Sequence, residues 1–431
     1  MRLLTRHWFA CAPLLLLAFS AGCDSANDPT PQLFAESPDA APPANVWPGW
    51  RGGQRGGKSN EVGFRTQWNQ KEHLRWSLEI PGRGNSSPVI WRDRVFLTTT
   101  ISDQTGSHLS LVCIDRRRGK QHWIRRVGRP LGKSHHKNGH ASSTPVTDGK
   151  RVYVSFGSLG LFCFDFQGTQ RWQVGLGQLP HQWGTASSPL LVGNLVIQLC
   201  DSEQDSSLQA FDQASGELVW RTLRTSQGAW SSPVLLRTPN QSPQIIVNGT
   251  GTADGSAGSV IAYSVNDGRE LWRVLGTSDI PCPTAIISDR WVVSSSGSNG
   301  PVMGIEVTDR PHVRWSFPSG GPYVPTGIIV GKRLYLVSDG GILSCRNIAN
   351  GKLVWRHRLR DTFSASLVVA QNRIYAVSER GTVYVIATGD KFELLAVNRF
   401  QERTTATPAL ASGEILIRTQ GKLHCVSSLG K

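Results

Sequence analysis

The chain has 431 residues, of which 39% are hydrophobic and 18% charged, and it carries a formal charge of +15 at pH 7. With 46 Lys and Arg against 31 Asp and Glu, its electrostatic partners are anionic: lipid headgroups, an acidic polysaccharide or an acidic protein face. A leader for export at the N-terminus excludes nucleic acid by compartment.

Residues 1–23 read "MRLLTRHWFACAPLLLLAFSAGC", with Arg2 and Arg6 ahead of a short apolar run and small residues before Cys23. This is a secretory signal, because the apolar stretch at 8–19 is too short to cross a bilayer. "SAGC" resembles the lipobox of bacterial lipoproteins, which implies lipidation at Cys23, although Ser20 stands where that family prefers Leu. Residues 24–46 are rich in Pro, Ala and Asp and have no basic residue; they cannot bury enough surface to fold and form a disordered tether. The tether carries Asp24, Asp28, Glu36 and Asp39, so the folded part, 47–431, is more basic than the whole chain. The expected location is the periplasmic side of a bacterial membrane, lipid-anchored, with the choice of membrane open.

From residue 73 onward the chain repeats. The pattern G-x-x-x-W occurs at 119–123, 168–172, 216–220, 268–272 and 351–355, and Trp76 and Trp315 occupy the same slot without that glycine. Ahead of each turn lies an alternating apolar strand, such as "SLVCID", "GLFCFD" or "SLQAFD", and before that another, such as "RVFLTT" or "RVYVSF". Each unit opens on small residues, usually with proline: "SSPVI" at 86, "STPVT" at 143, "SSPLL" at 187, "SSPVL" at 231, "CPTAI" at 282, "VPTGI" at 324, "SASLV" at 364 and "ATPAL" at 406. Eight openings, no helical periodicity and a repeat of this length predict an all-β, eight-bladed β-propeller of four-stranded antiparallel blades. The last unit lacks its Trp strand, whereas "HLRWSLEIPG" at 73–82 is a Trp strand without a blade. The N-terminal strand, 74–80, is therefore expected to pair with 422–427, completing the last blade and removing the open sheet edges. Trp76, Trp123, Trp172, Trp220, Trp272, Trp315 and Trp355 are expected to wedge between neighbouring blades.

Cys113, Cys163, Cys345 and Cys425 fall in one slot of the third strand, where other blades have Ala210, Ala262 and Gly304. The slot wants a small apolar residue, and the spacing of equivalent strands forbids disulfides among these four. Cys200 and Cys282 have no assigned role.

The link "IRRVGRPLGKSHHKNGHA" joins the first complete blade to the next and places His135, His136 and His140 among Arg125, Arg126, Arg129, Lys133 and Lys137. A zinc-helix reading fails: Asn138 and Gly139 deny it the helix, and no Asp or Glu falls within 134–143. The Asn-Gly turn is expected to splay the three rings, so no metal is expected. An anion or partner contact remains, beside a solvated polar loop. His181 and Trp183 in "LPHQWGTASSP" and Trp230 in "SQGAWSSP" are expected near the same channel rim, either as part of an aromatic, basic pocket or as channel packing.

These units, "SSPV", "RVY" and the third strand ahead of G-x-x-x-W, resemble the repeat of the pyrroloquinoline-quinone-like eight-bladed propellers. That family embraces quinoprotein alcohol dehydrogenases and the outer-membrane assembly lipoprotein BamB. "WPGWRGGQRGG" at 47–57, "KNGHASSTPVTDGKRVYVSFGSLG" and "RLYLVSDGGILSC" are also similar to exported propeller proteins of planctomycete-type bacteria. The dehydrogenases resemble one another in a pair of adjacent cysteines against the cofactor, a calcium held by Glu, Asn and Asp, and a catalytic Asp. No Cys-Cys pair exists in this chain. The resemblance thus implies a monomeric, non-catalytic scaffold for envelope proteins, without pyrroloquinoline quinone. The alternative is a carbohydrate or polyanion receptor for acidic glycans, and a quinoprotein oxidoreductase comes third, since fold does not dictate function.

Overall fold

A computed structural model describes residues 44–428, apart from 54–55, 70–71, 240, 252–256 and 279–280. The export signal, Cys23 and the tether up to 43 lie outside the described residues.

Eight four-stranded antiparallel blades surround one axis. Blade 1 comprises Val89–Trp91, Arg94–Asp103, Gly106–Asp115 and Lys120–Gly128, and blades 2 to 7 repeat this meander, ending on the outer strands Gln170–Val174, Leu218–Leu223, Glu270–Thr277, Pro311–Phe317, Leu353–Arg358 and Leu394–Arg399. Blade 8 takes Ala409–Ala411, Glu414–Arg418 and Lys422–Val426 from the C-terminus and Leu74–Glu79 from the N-terminus, with Trp76 opposite Cys425. The N-terminal strand thus closes the ring as its sequence predicts. Helix is confined, among the described residues, to one 3-10 turn at Gly157–Leu159.

The small slot and the tryptophan explain each other, because they are cross-strand partners: Cys113 with Trp123, Cys163 with Trp172, Ala210 with Trp220, Ala262 with Trp272, Gly304 with Trp315 and Cys345 with Trp355. In blade 7 the sizes are exchanged, with Val385 opposite Ala396. A β-bulge follows this pair in blade after blade, and a bulge adds local twist. The indole is thereby turned toward the next blade. There it stacks on the glycine of the following G-x-x-x-W turn: a Cβ on Gly119 would stand 2.5 Å from the Trp76 ring, one on Gly216 2.8 Å from Trp172, and one on Gly268 2.4 Å from Trp220. Each indole N–H then reaches that turn's backbone, as from Trp76 to Arg116 O (2.8 Å), Trp123 to Phe166 O (3.0 Å) and Trp315 to Ile348 O (2.6 Å). Trp272 departs from the scheme. Blade 5 turns through "TDRP" without glycine, and the Trp272 N–H bonds Gln244 Oε1 of its own blade at 2.7 Å.

The six described cysteines are free thiols, five of them buried. Burial pushes Cys113 and Cys163 up to about 12, as expected of thiols that fill space.

Residues 44–68 add something the repeat does not announce. Val46–Trp47 pairs with Val89–Trp91 as a fifth strand of blade 1, and Lys58–Ser59 runs parallel to Val368–Ala370 of blade 7. Asn45 and Val46, expected to end the tether, are already tied to blade 1: the Arg92 N–H donates to Asn45 O at 3.0 Å. Between the two short strands the chain crosses the axis. Arg51 is 1% exposed and donates to Gly327 O (2.6 Å) and Leu367 O (3.3 Å), joining blades 6 and 7. This segment seals one face of the ring, the face of the hairpins that follow each innermost strand.

Candidate binding face

The opposite face carries the loops that lead into each blade, and it opens into a cavity of about 400 Å³ on the axis. The cavity's middle is a belt of hydroxyls built from the small-residue openings. Ser87, Thr144, Ser188, Ser232, Thr284, Thr326, Ser366 and Thr407 all line it, one from each blade. From Ser87 to Ser366, each backbone N–H donates to the hydroxyl of the next blade at 2.9–3.1 Å. That arrangement explains the composition: only a short hydroxyl side chain fits the crowded axis and satisfies the neighbouring N–H, which buried away from water would otherwise cost about 1–3 kcal/mol. Seven hydroxyl oxygens, those of Thr144, Ser188, Ser232, Thr284, Thr326, Ser366 and Thr407, thus accept a bond from the preceding blade.

Aromatic rings bound the belt. Trp50, from the sealing segment, lines the cavity together with Trp183, Trp230 and Tyr323. Trp183 and Trp230 lie 5.6 Å apart between ring centroids, and His181 meets Trp230 edge-on at 4.5 Å. Gly228 is required here, because a Cβ would stand 2.5 Å from the His181 ring. Burial holds His181 below its ordinary range, against the opposing pull of Glu203.

The His-rich loop docks on this aromatic group through backbone. Trp183 O accepts from the His135 N–H (3.2 Å) and from Asn138 Nδ2 (2.8 Å), and Asn85 Nδ2 bonds Lys137 O at 2.6 Å. The turn expected at Asn138 and Gly139 forms, with Gly139 at φ +74° and both N–H groups donating to His135 O. It does not splay the rings. His135 and His136 lie 4.1 Å apart between centroids, and both border a second cavity with His140. The loop that carries the two imidazoles is fixed from outside by Trp183 O and Asn85 Nδ2, and the Lys137 N–H donates to His135 Nδ1 at 3.3 Å. Burial first, then repulsion from His136 and Lys137, lowers the His135 pKa, and burial lowers that of His140. No group of three His, Cys, Asp or Glu side chains is placed to hold a metal among the described residues.

The arginines expected beside these histidines lie elsewhere. Arg125 Nε donates to Gly168 O (2.8 Å) and its guanidinium covers Trp123, on the outer strand of blade 1. Arg126 pairs with Asp103 at 2.6 Å and Arg129 bonds Thr105 O at 3.0 Å, both at the tip of the long hairpin of the same blade. The link was expected to run wholly along the rim, but blade 1's outer strand extends to Gly128, which keeps Arg125 and Arg126 at the periphery. Lys133 is exposed and borders neither cavity. Sequence reasoning missed Asn85, Tyr323, Asp339 and the cations of the second cavity. Burial pushes the Asp339 carboxyl up, against the Tyr323 and Val324 N–H groups that donate to it.

Among the described residues the axial cavity is lined by hydroxyls, amides, aromatic rings, the Lys137 ammonium and one thiol, that of Cys282, and by no carboxylate. This donor set does not fit a quinone supported by calcium, which needs Glu, Asn and Asp oxygens around the metal.

Comparison with known proteins places this geometry. A family model described as outer membrane protein assembly factor BamB matches residues 107–278 and 256–430. The chain is 22% identical over 376 residues to outer membrane protein assembly factor BamB of Burkholderia pseudomallei, covering 80% of this chain and 85% of that protein. It is 21% identical over 237 residues to BamB of Shewanella oneidensis, covering 51% and 55%. Among solved structures it is similar to BamB from Moraxella catarrhalis, with a TM-score of 0.61 at 13% identity over 82% of this chain and 99% of that one. It is also similar to quinohemoprotein alcohol dehydrogenase from Comamonas testosteroni, with a TM-score of 0.67 at 13% identity over 90% and 81%. These structural likenesses show the eight-bladed fold; the family match covers most of the chain, which belongs to the propeller family of outer membrane protein assembly factor BamB.

Proposed function

We propose that the chain is a non-catalytic scaffold of the cell envelope that holds a protein partner against its open face. The family match along most of the chain supports this reading, and the asymmetry of the ring supports the open face as the docking side. The sealed face is occupied by the chain's own segment, whereas the open face presents loops at 132–140, 180–184 and 225–230 around an aromatic recess. Anchoring through Cys23 would tether the propeller from its sealed face, where residues 45–47 join blade 1, and leave the open face free to meet a partner. The absence of carboxylates from the axial cavity lining among the described residues also favours binding over quinone-dependent oxidation.

The test is a crosslinking pull-down of tagged native protein against a Trp183→Ala, Trp230→Ala variant. Specific envelope proteins should be captured by the native chain and lost at least tenfold in the variant. Equal capture by both, or none by either, contradicts the reading. One observation favours a second reading, a neutral glycan receptor: hydroxyl donors and tryptophan faces together suit a sugar ring. In that case glycan retention, rather than protein capture, falls with the two tryptophans.

A further inference from the structure

A second cavity of about 290 Å³ lies beside the axial one, at the seam where the ring closes. Blade 8 supplies Arg403 and Arg418, the lead-in to blade 1 supplies Arg83, and the His-rich loop supplies Lys137 with its three imidazoles. No carboxylate lines it among the described residues. Among the described residues the one carboxylate ion-paired to these cations is Glu379, 3.0 Å from Lys137 Nζ and 3.9 Å from Arg403 Nη2. Arg83 and Arg418 form no ion pair among the described residues.

Arg418 is the informative group. It is 2% exposed, and its hydrogen bonds run from Nη1 alone, to Ser86 O (3.1 Å) and Ser86 Oγ (2.7 Å). Nε is buried with no partner, and Nη2 has none among the described residues. Arg224 is paired with Asp201 at 2.8 and 3.1 Å and Arg116 with Glu414 at 2.6 Å, while Arg51, whose Nε is also buried without a partner, commits its Nη2 to main-chain carbonyls away from this cavity. Space is reserved for this guanidinium, since a Cβ on Gly84 would stand 2.8 Å from its Nη2. Burial without a counter-charge pulls Arg418 down to about 9. A buried unpaired charge is expensive, and clustered like charges repel; both costs are relieved by an anion. A guanidinium offers parallel N–H donors that match two oxygens of one tetrahedral group.

We propose that the seam cavity is an oxyanion site that takes a phosphate or sulfate group, held by Arg418 from within and by Arg83, Arg403 and the imidazoles at the mouth. The group can be a free ion or an ester on a larger envelope molecule; the chemistry of recognition is shared. This inference does not rest on the scaffolding reading, because it is tested on the purified chain alone.

Isothermal titration of the full chain with inorganic phosphate, inorganic sulfate, a sugar phosphate and a sulfated sugar, all in chloride buffer of fixed ionic strength, tests it. Saturable one-to-one binding is expected for at least one of the four. Tighter binding of an ester than of its free ion identifies a carried group, and the reverse order a free one. The exposed pair Arg83→Gln, Arg403→Gln should weaken binding on the order of tenfold, the loss typical of removing charged hydrogen bonds, with thermal unfolding unchanged. Arg418→Gln should abolish it; should that variant not fold, the exposed pair decides. Absence of saturable binding to all four probes, or binding that the exposed pair leaves unchanged, overturns the proposal.

Discussion

In blade 8 the imidazole of His424 is 6% exposed, with Ser77 Oγ 2.7 Å from Nδ1 and Thr419 Oγ1 3.2 Å from Nε2. Burial lowers its pKa from 6.5 to about 4, with Glu402 opposing and Lys422 assisting. The unfolded chain therefore takes up a proton below pH 6.5 that the folded chain refuses until about pH 4. Stability from this group is complete above pH 6.5 and is lost as the pH falls, by on the order of 2 kcal/mol at pH 5. Urea midpoints of the native chain and His424→Gln at pH 7 and pH 5 check this. The variant should lose less stability on acidification, and an equal loss would assign the acid sensitivity to other groups. Single residues were also where the sequence was least informative. Arg418 meets Ser86 across 332 positions and Arg51 meets Gly327 across 276, and no local pattern encodes such a pairing. The histidines were visible by type and spacing, yet their shared direction is set by Trp183 and Asn85, from two other segments.

Blades were legible because one physical device recurs. A small residue opposite the tryptophan, a bulge, and a glycine in the next turn all leave marks in sequence at fixed spacing. Where the marks fail, so does the device, as with Trp272 ahead of a turn without glycine. The hydroxyl belt was half legible: the small-residue openings announced eight strand starts, but the bonds from one to the next run between blades. The sealing segment at 44–68 was not legible at all, since its strands are two residues long and have no periodicity to detect. At this scale the closing strand invites a test. Glu414 pairs with Arg75 of that strand at 2.5 Å and with Arg116 of blade 1 at 2.6 Å, beside the Trp76 stack on Gly119. Trp76→Ala should destabilise the chain by about 3 kcal/mol, in the range for large aromatic truncations, and proteolysis should then begin at the seam. An unchanged melting temperature would mean that the last blade stands without its N-terminal strand's docking.

The molecule as a whole is a ring with one face stoppered by its own N-terminal segment and the other left open. The expected lipid on Cys23 is testable directly. Cys23→Ser should move the protein from the membrane to the soluble envelope fraction, and a variant that still sediments with membranes would show that something else holds it. The oxyanion site and the aromatic recess share the open face, so a partner docking there would meet both. The most direct test of the scaffolding account is a site-specific photocrosslinker placed in living cells at Lys133 on the open face or, separately, at Lys332 on the sealed face. The account predicts discrete protein adducts from position 133 and none from position 332. Adducts from 332 alone, or from neither position, would contradict it.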